Sequence, residues 1–293
     1  MNSQDAEVLE RISKSLGIRP TGFEPVSGAT HGVYRSLINE APYILKLYRR
    51  AEAAGTELRV LRLLEEDDFP APRVREADPD GVQAGLPFLL MEDLGRETVA
   101  QRMAQGADGV ALAEQMGRLL ASTHRIRLPS CGAILGDRIE KLEAAKVAER
   151  IHKSAVGLHA QKLISDQTIN GVLAIDDLPI EGDSLCHMDF HPVQCVADGA
   201  RVAGVVDWEG AWSANAFVDL AIAHAYLDFY GSQGATDAFL KGYGASQKTL
   251  SDPDYASARA MHLASLAGKW LAAGQRSAAE RACGLLVESL SDS

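Results

Sequence analysis

Leu185-Cys186-His187-Met188-Asp189-Phe190-His191-Pro192-Val193-Gln194, followed by Gly204-Val205-Val206-Asp207-Trp208, is the stretch on which the reading of this chain turns. One carboxylate, Asp189, sits on a loop that Pro192 closes, and a second, Asp207, ends an apolar run. Asp198-Gly199, between the loop and that run, is a strong reverse-turn signal. If the runs 194–197 and 201–206 pair antiparallel about the turn, Gln194 and Asp207 emerge at the same end, beside Asp189. Three oxygen-bearing side chains then face one point. A Mg²⁺ held between protein and nucleotide phosphates requires such oxygen donors, and Asp189 is placed to accept a substrate hydroxyl proton. Asp and His in a turn also serve as turn formers and caps, so the rest of the chain decides.

The whole chain sets bounds. Its 293 residues, 46% hydrophobic, suffice for one large domain or two moderate ones with real cores. A formal charge of -11 argues against nucleic acid as a partner, because phosphate contacts need clustered Lys and Arg. The start, Met1 to Glu7, is polar and acidic without a signal-peptide pattern, and no apolar run is long enough to cross a membrane, so a cytoplasmic protein is expected. Cys131, Cys186, Cys195 and Cys283 lack the spacing of a disulfide framework or a zinc site and read as buried thiols.

Val8, Leu9, Ile12 and Leu16 have helical spacing, and Gly17 suits the helix end. Ser27-Gly28-Ala29-Thr30-His31-Gly32, between strand-like sequences, is a loop whose amides can approach phosphate closely or simply turn a hairpin. Pro42 to Tyr48 reads as a strand with Lys46 on the face of Ile44 and Tyr48. Glu57, Val60, Leu61 and Leu64 then put a glutamate on the apolar stripe of the next helix, where a carboxylate needs a cationic partner. Lys46 is read as that partner in preference to two independent surface charges. Glu52 is the rival, though its place near the helix start has its own electrostatic reason.

Pro87 to Met91 is a short buried-type strand that breaks into Glu92-Asp93-Leu94-Gly95, a hinge between lobes or a plain strand-to-helix loop. Leu112, Met116, Leu119 and Leu120 mark a helix ending near His124, and residues 138–178 read as a helical stretch without a motif. Tyr255 to Leu290 reads as two helices with Trp270 between them. Glu209, Tyr226 and Asp228, which follow the second carboxylate, are candidates for acceptor contacts.

His187-x-Asp189-x-x-x-x-Gln194 resembles the kinase catalytic loop, and Asp207 stands where the kinase metal-binding Asp would. The wording His-Met-Asp-Phe-His-Pro with Asp-Trp-Glu is similar to the aminoglycoside phosphotransferase and choline kinase-like family. One departure is Gln194 in place of Asn. The resemblance implies an α+β, bilobal protein kinase-like fold: residues 1–92 as an antiparallel sheet lobe with one helix, and 93–293 as a larger, mostly helical lobe. It implies ATP and Mg²⁺ as cofactors and a small-molecule hydroxyl acceptor as partner, in a monomer or homodimer. Asp189 is then the catalytic base, and Gln194 and Asp207 the metal ligands. Lys46, fixed by Glu57, reaches the phosphates; Ser27 and Gly28 belong to the nucleotide-covering loop; the Glu92 carbonyl and Leu94 amide meet adenine. Asp219, in Asp219-Leu220-Ala221, holds the catalytic loop backbone, and His124 is a supporting residue. The alternative is a nucleotide-binding protein without phosphoryl transfer, its metal site altered by Gln194.

Overall fold

A computed structural model describes residues 3–15, 17, 22–26, 32–106, 108–141, 143–176, 178–230 and 234–291. The chain forms two compact units, one of residues 1–96, 134–139 and 203–211, the other of residues 97–133, 140–202 and 212–293.

In the first unit, helix α1 (Ser3–Ser15) precedes strands β1 (Glu24–Pro25), β2 (Gly32–Ile38) and β3 (Ala41–Leu47). Helix α2 (Ala51–Glu66) and strands β4 (Val74–Asp78) and β5 (Phe88–Glu92) follow, and the antiparallel sheet runs β1-β2-β3-β5-β4. Asn39 and Glu40, both at positive φ (52° and 66°), form the two-residue turn whose twist suits a β2–β3 hairpin. Val8, Leu9 and Ile12 of α1 pack with Tyr34, Leu45, Phe88 and Leu90 of the sheet. The expected single helix of this lobe is therefore accompanied by a second, because the amphipathic N-terminal segment also belongs to this core.

Residues 134–139 dock on α2 through Thr56, whose hydroxyl donates to the Ile134 carbonyl (2.7 Å) and accepts from the Gly136 amide (3.2 Å). Residues 203–211 join the same unit at Pro70, whose carbonyl accepts from the Val205 amide at 3.0 Å. Gly204 is needed there: a Cβ on it would lie 2.7 Å from the Pro70 oxygen and 2.6 Å from a Leu94 methyl.

The second unit contains strand β6 (Glu97–Thr98), helices α3 (Val99–Ala104) and α4 (Gly109–Thr123), strands β7 (Gly132–Leu135) and β8 (Arg138–Glu140), which it shares with residues 134–139, and helices α5 (Ala144–Ala160) and α6 (Asp166–Leu173). Strands β9 (Ser184–Cys186), β10 (Cys195–Asp198), β11 (Arg201–Val205, from Ala203 in the first unit) and β12 (Trp212–Ala214) are short. Helices α7 (Ala216–Tyr230), α8 (Ala235–Tyr243), α9 (Gln247–Leu250), α10 (Pro253–Ala272) and α11 (Arg276–Ser291) complete the unit. The expected turn falls at Asp198-Gly199, with Gly199 at φ 58°. β10 also pairs with β6, which the sequence reading did not anticipate.

Two expectations are corrected. Arg138–Glu140 is a strand, and the helical stretch begins only at Ala144. Trp270 lies inside α10 and not between the two helices, and its ring packs 4.0 Å from that of Phe229. α4 and α8 cross at two glycines: a Cβ on Gly117 or Gly242 would meet a main-chain oxygen of the facing helix at 2.1 Å. No described helix is long and apolar enough to cross a membrane.

Candidate active site

Two clusters carry chemistry, one in each unit. In the first, strand alternation turns Lys46 of β3 inward to meet Glu57 of α2, with Lys46 6% exposed and Glu57 2%. Lys46 Nζ lies 2.7 Å from Glu57 Oε2, 2.5 Å from Asp207 Oδ1 and 3.1 Å from Glu209 Oε2. The Tyr48 hydroxyl donates to Glu57 Oε2 (2.7 Å), and the Trp208 amide donates to Glu57 Oε1 (3.3 Å). Burial alone would push the Lys46 ammonium down, but Glu57, Asp207 and Glu209 outweigh it and raise its pKa above the ordinary lysine value.

Trp208 anchors the end of this cluster. It is fully buried, donates from Nε1 to the Val205 carbonyl at 3.0 Å, and meets Phe69 edge-on at 5.9 Å. Asp207, just before it, stands in the left-handed region at φ 69° and ψ 56°, with a side chain about one-third exposed. Carboxylate oxygens of Glu57, Asp207 and Glu209 all lie within 4.8 Å of one another, and such hard oxygen donors fit Mg²⁺. Glu52 lies in the first turn of α2, and the pair that forms is Lys46 with Glu57. Glu209, one of the candidates for acceptor contacts, faces Lys46.

The Glu92–Gly95 segment of the same unit is held by Arg35. Its guanidinium forks onto the Asp93 carboxylate and donates to the Gly95 carbonyl at 2.8 Å. The Glu92 amide donates to the Arg73 carbonyl (3.0 Å), whereas the Arg73 amide reaches the Glu92 side chain at 3.3 Å and not its main-chain oxygen. Among the described residues the Leu94 amide has no main-chain partner. Ser27 and Gly28 lie outside the described residues.

In the second unit the loop 187–194 is built on backbone bonds. Asp219, fully buried in the first turn of α7, accepts from the His187 amide through Oδ2 (2.6 Å) and from the Met188 amide through Oδ1 (2.9 Å). Met188 takes positive φ (67°) at this bend. His124 Nε2 stands 3.3 Å from Asp219 Oδ2, and His124 Nδ1 lies 2.8 Å from the Tyr243 hydroxyl across the α4–α8 crossing. Phe190, fully buried, fixes the loop between His187 (5.9 Å, edge-on) and Phe239 (6.5 Å). The Ala100 amide of α3 donates to the Pro192 carbonyl at 3.0 Å.

Asp189 projects from this frame with its side chain 49% exposed. Its Oδ1 accepts from the Tyr226 hydroxyl (3.1 Å); its Oδ2 accepts from Gln194 Nε2 (3.4 Å) and faces His191 Nε2 at 3.5 Å. Because His191 Nδ1 accepts from the Val193 amide (3.2 Å), its Nε2 is the nitrogen that presents a proton to Asp189. Burial opposes ionisation of Asp189, but the His191 hydrogen bond, the electrostatic influence of His191 and His187 and the Gln194 bond prevail and hold its pKa at about 2. Gln194 thus turns its amide nitrogen to Asp189.

Of the other acceptor candidates, Asp228 is already committed to Arg259 (2.7 Å), Thr236 (2.9 Å) and His224 (3.2 Å). Tyr226 bonds Asp189 itself. Sequence reasoning missed Tyr243, and it missed Tyr226 as a partner of Asp189. The seven-residue step from Asp219 to Tyr226 on one helix face is the signal that could have found the second.

No curated protein matches the chain by sequence. Among solved structures it is similar to aminoglycoside phosphotransferase APH(4)-Ia at a TM-score of 0.71 and 14% identity, over 97% of this chain and 99% of that one. Choline kinase LicA from Streptococcus pneumoniae aligns at a TM-score of 0.65 and 16% identity, over 100% of both chains. The APH(2")-IIa chain of a gentamicin complex aligns at 0.62 and 17% identity, over 100% of this chain and 96% of that one. These likenesses establish the fold as kinase-like, a sheet unit and a helical unit. A family model described as Phosphotransferase enzyme family matches residues 22–261, and the chain belongs to that family.

Proposed function

We propose that the chain transfers the γ-phosphoryl group of ATP to a hydroxyl of a small molecule. The observation that carries this reading is the Lys46 cluster, in which strand lysine, helix glutamate and Asp207 meet within 2.7 Å of one ammonium. Lys46, fixed by Glu57, aligns the phosphates, and the Glu92 carbonyl and Leu94 amide receive the base. Ser27 and Gly28 cover the phosphates. Asp207 and Gln194 would hold Mg²⁺, which when bound neutralises charge on the β- and γ-phosphate oxygens. Asp189 orients the acceptor hydroxyl and takes its proton as the oxygen bonds to the γ-phosphorus, and the bond to the bridging oxygen breaks to leave ADP. Its low pKa keeps it ionised throughout the neutral range, free to accept a hydrogen bond from the acceptor hydroxyl.

Alignment and charge neutralisation carry most of such a rate, so little covalent chemistry is asked of the protein. The expected assembly is a monomer or a homodimer. An ATP donor fits a cytoplasmic setting. The APH(4)-Ia complex with AMP-PNP and hygromycin B, the gentamicin complex and the choline kinase mark amino sugars and amino alcohols as the first acceptors to try.

Gln194 favours a second reading, since its amide nitrogen bonds Asp189 and its chain is one methylene longer than Asn: nucleotide binding without transfer. The test is ADP release in the presence of Mg²⁺-ATP and a panel of amino sugars, amino alcohols and sugars. Acceptor-dependent release supports transfer. Mg²⁺-dependent thermal stabilisation by ATP without any such release supports the binder.

A further inference from the structure

Helix α7 carries two residues that touch the loop around Asp189, and they act on different parts of it. Asp219 holds the His187 and Met188 amides. Tyr226, two turns later on the same face, donates its hydroxyl to Asp189 Oδ1 at 3.1 Å. Its ring is 8% exposed, lies 4.4 Å from that of His191 and 5.3 Å from that of His262. Burial, reinforced by the Asp189 charge, raises the Tyr226 hydroxyl above the ordinary tyrosine range, so it remains a donor at working pH.

The Asp189 carboxylate is therefore gripped through both oxygens. Gln194 and His191 meet Oδ2 from within the loop, whereas Tyr226 meets Oδ1 from a helix. A half-exposed carboxylate held from one side only would turn about its terminal bond. The contact from α7 stops that rotation and ties the side chain to the helix that already fixes the loop's main chain.

We propose that Tyr226 is a positioning residue for phosphoryl transfer, orienting the Asp189 carboxylate toward the acceptor hydroxyl through its bond to Oδ1. This rests on the transfer reading given above. Tyr226 touches neither nucleotide nor metal in that reading, so its loss affects the turnover step and leaves nucleotide binding alone.

The test compares Tyr226→Phe with Tyr255→Phe in the full chain. Tyr255 is buried, its hydroxyl bonds His224 in the same α7–α10 packing, and it has no bond to Asp189. The probe is Mg²⁺-ATP with whichever acceptor, water included, gives the unaltered chain its fastest ADP release. Tyr226→Phe should lower kcat by about tenfold or more, with KM for ATP within about twofold and the ATP-induced thermal shift retained. Tyr255→Phe should keep kcat within about twofold. Equal kcat in Tyr226→Phe and the unaltered chain, or an equal loss in both variants, overturns the positioning role. Absence of turnover in the unaltered chain with every acceptor overturns the transfer reading itself, and this one with it.

Discussion

The two clusters are built on opposite principles. Around Lys46 the geometry is set by charge: three carboxylates and one ammonium, largely withdrawn from water, fix one another. Around Asp189 it is set by the backbone. Asp219 holds two successive amides, Phe190 and Pro192 are pinned, and the carboxylate of Asp189, the proposed base, is left half in solvent. A site made of mutually compensating charges cannot lose one member without leaving the others uncompensated. A site made of a braced loop can lose its functional side chain and keep its shape. Stability and activity should therefore separate cleanly between the two regions.

The largest expected effect is on the brace. Asp219→Ala removes two charge-assisted bonds to main-chain amides of the loop and should lower unfolding free energy by about 4 kcal/mol, read from denaturant midpoints. A loss below about 1 kcal/mol would mean that the loop is held by its packed aromatics instead.

Next comes the charge cluster. Lys46→Met leaves Glu57, Asp207 and Glu209 facing one another and should cost about 3 kcal/mol. Adding Glu57→Gln should recover part of that cost. Additive losses in the double variant would contradict mutual compensation.

A smaller effect separates the helical unit from the sheet unit by pH. Burial holds His262 down at about 4, and burial likewise holds His224 at about 4, both below the usual histidine value near 6.5. A folded pKa below the unfolded one means stability is complete above about pH 6.5 and is lost as pH falls toward 4. His262 alone should account for about 2 kcal/mol by pH 5, and His262→Leu should flatten the fall in melting temperature over that interval. An unchanged slope would assign the acid sensitivity elsewhere.

The smallest effect concerns the departure from the family pattern. Gln194→Asn shortens the side chain by one methylene and should change the Mg²⁺ dependence of turnover by about threefold, in favour of tighter metal use. Weaker metal use would mean that the longer side chain suits this loop.

The contrast also explains what the sequence could disclose. Lys46 and Glu57 were legible together because period-two and 3.6-residue spacing each put a charge on an apolar face, and two such charges compensate. The turn at Asp198-Gly199 was legible from local chemistry. The contacts of Asp219 entered through resemblance, since a carboxylate starting an apolar helix has an equally good reason to be there as a cap. Tyr226 with Asp189 and Tyr243 with His124 join elements 37 and 119 residues apart, and nothing local in an aromatic residue tells whether its hydroxyl will find a partner. The strand Arg138–Glu140 was hidden because three residues beside a Lys-, Glu- and Ala-rich helix carry no period of their own. The contact of Glu209 with Lys46 has no local signature, since the two residues lie far apart in the chain.

The most direct test of the account puts binding and turnover side by side in one variant. Asp189→Asn removes the proton acceptor while Asp219, Tyr226 and Gln194 keep their places. Mg²⁺-ATP affinity should stay within about twofold of the unaltered chain while acceptor-dependent ADP release falls by about a hundredfold or more. Turnover that survives in Asp189→Asn, or nucleotide binding that disappears with it, would contradict the assignment of Asp189 as the base of a phosphotransferase.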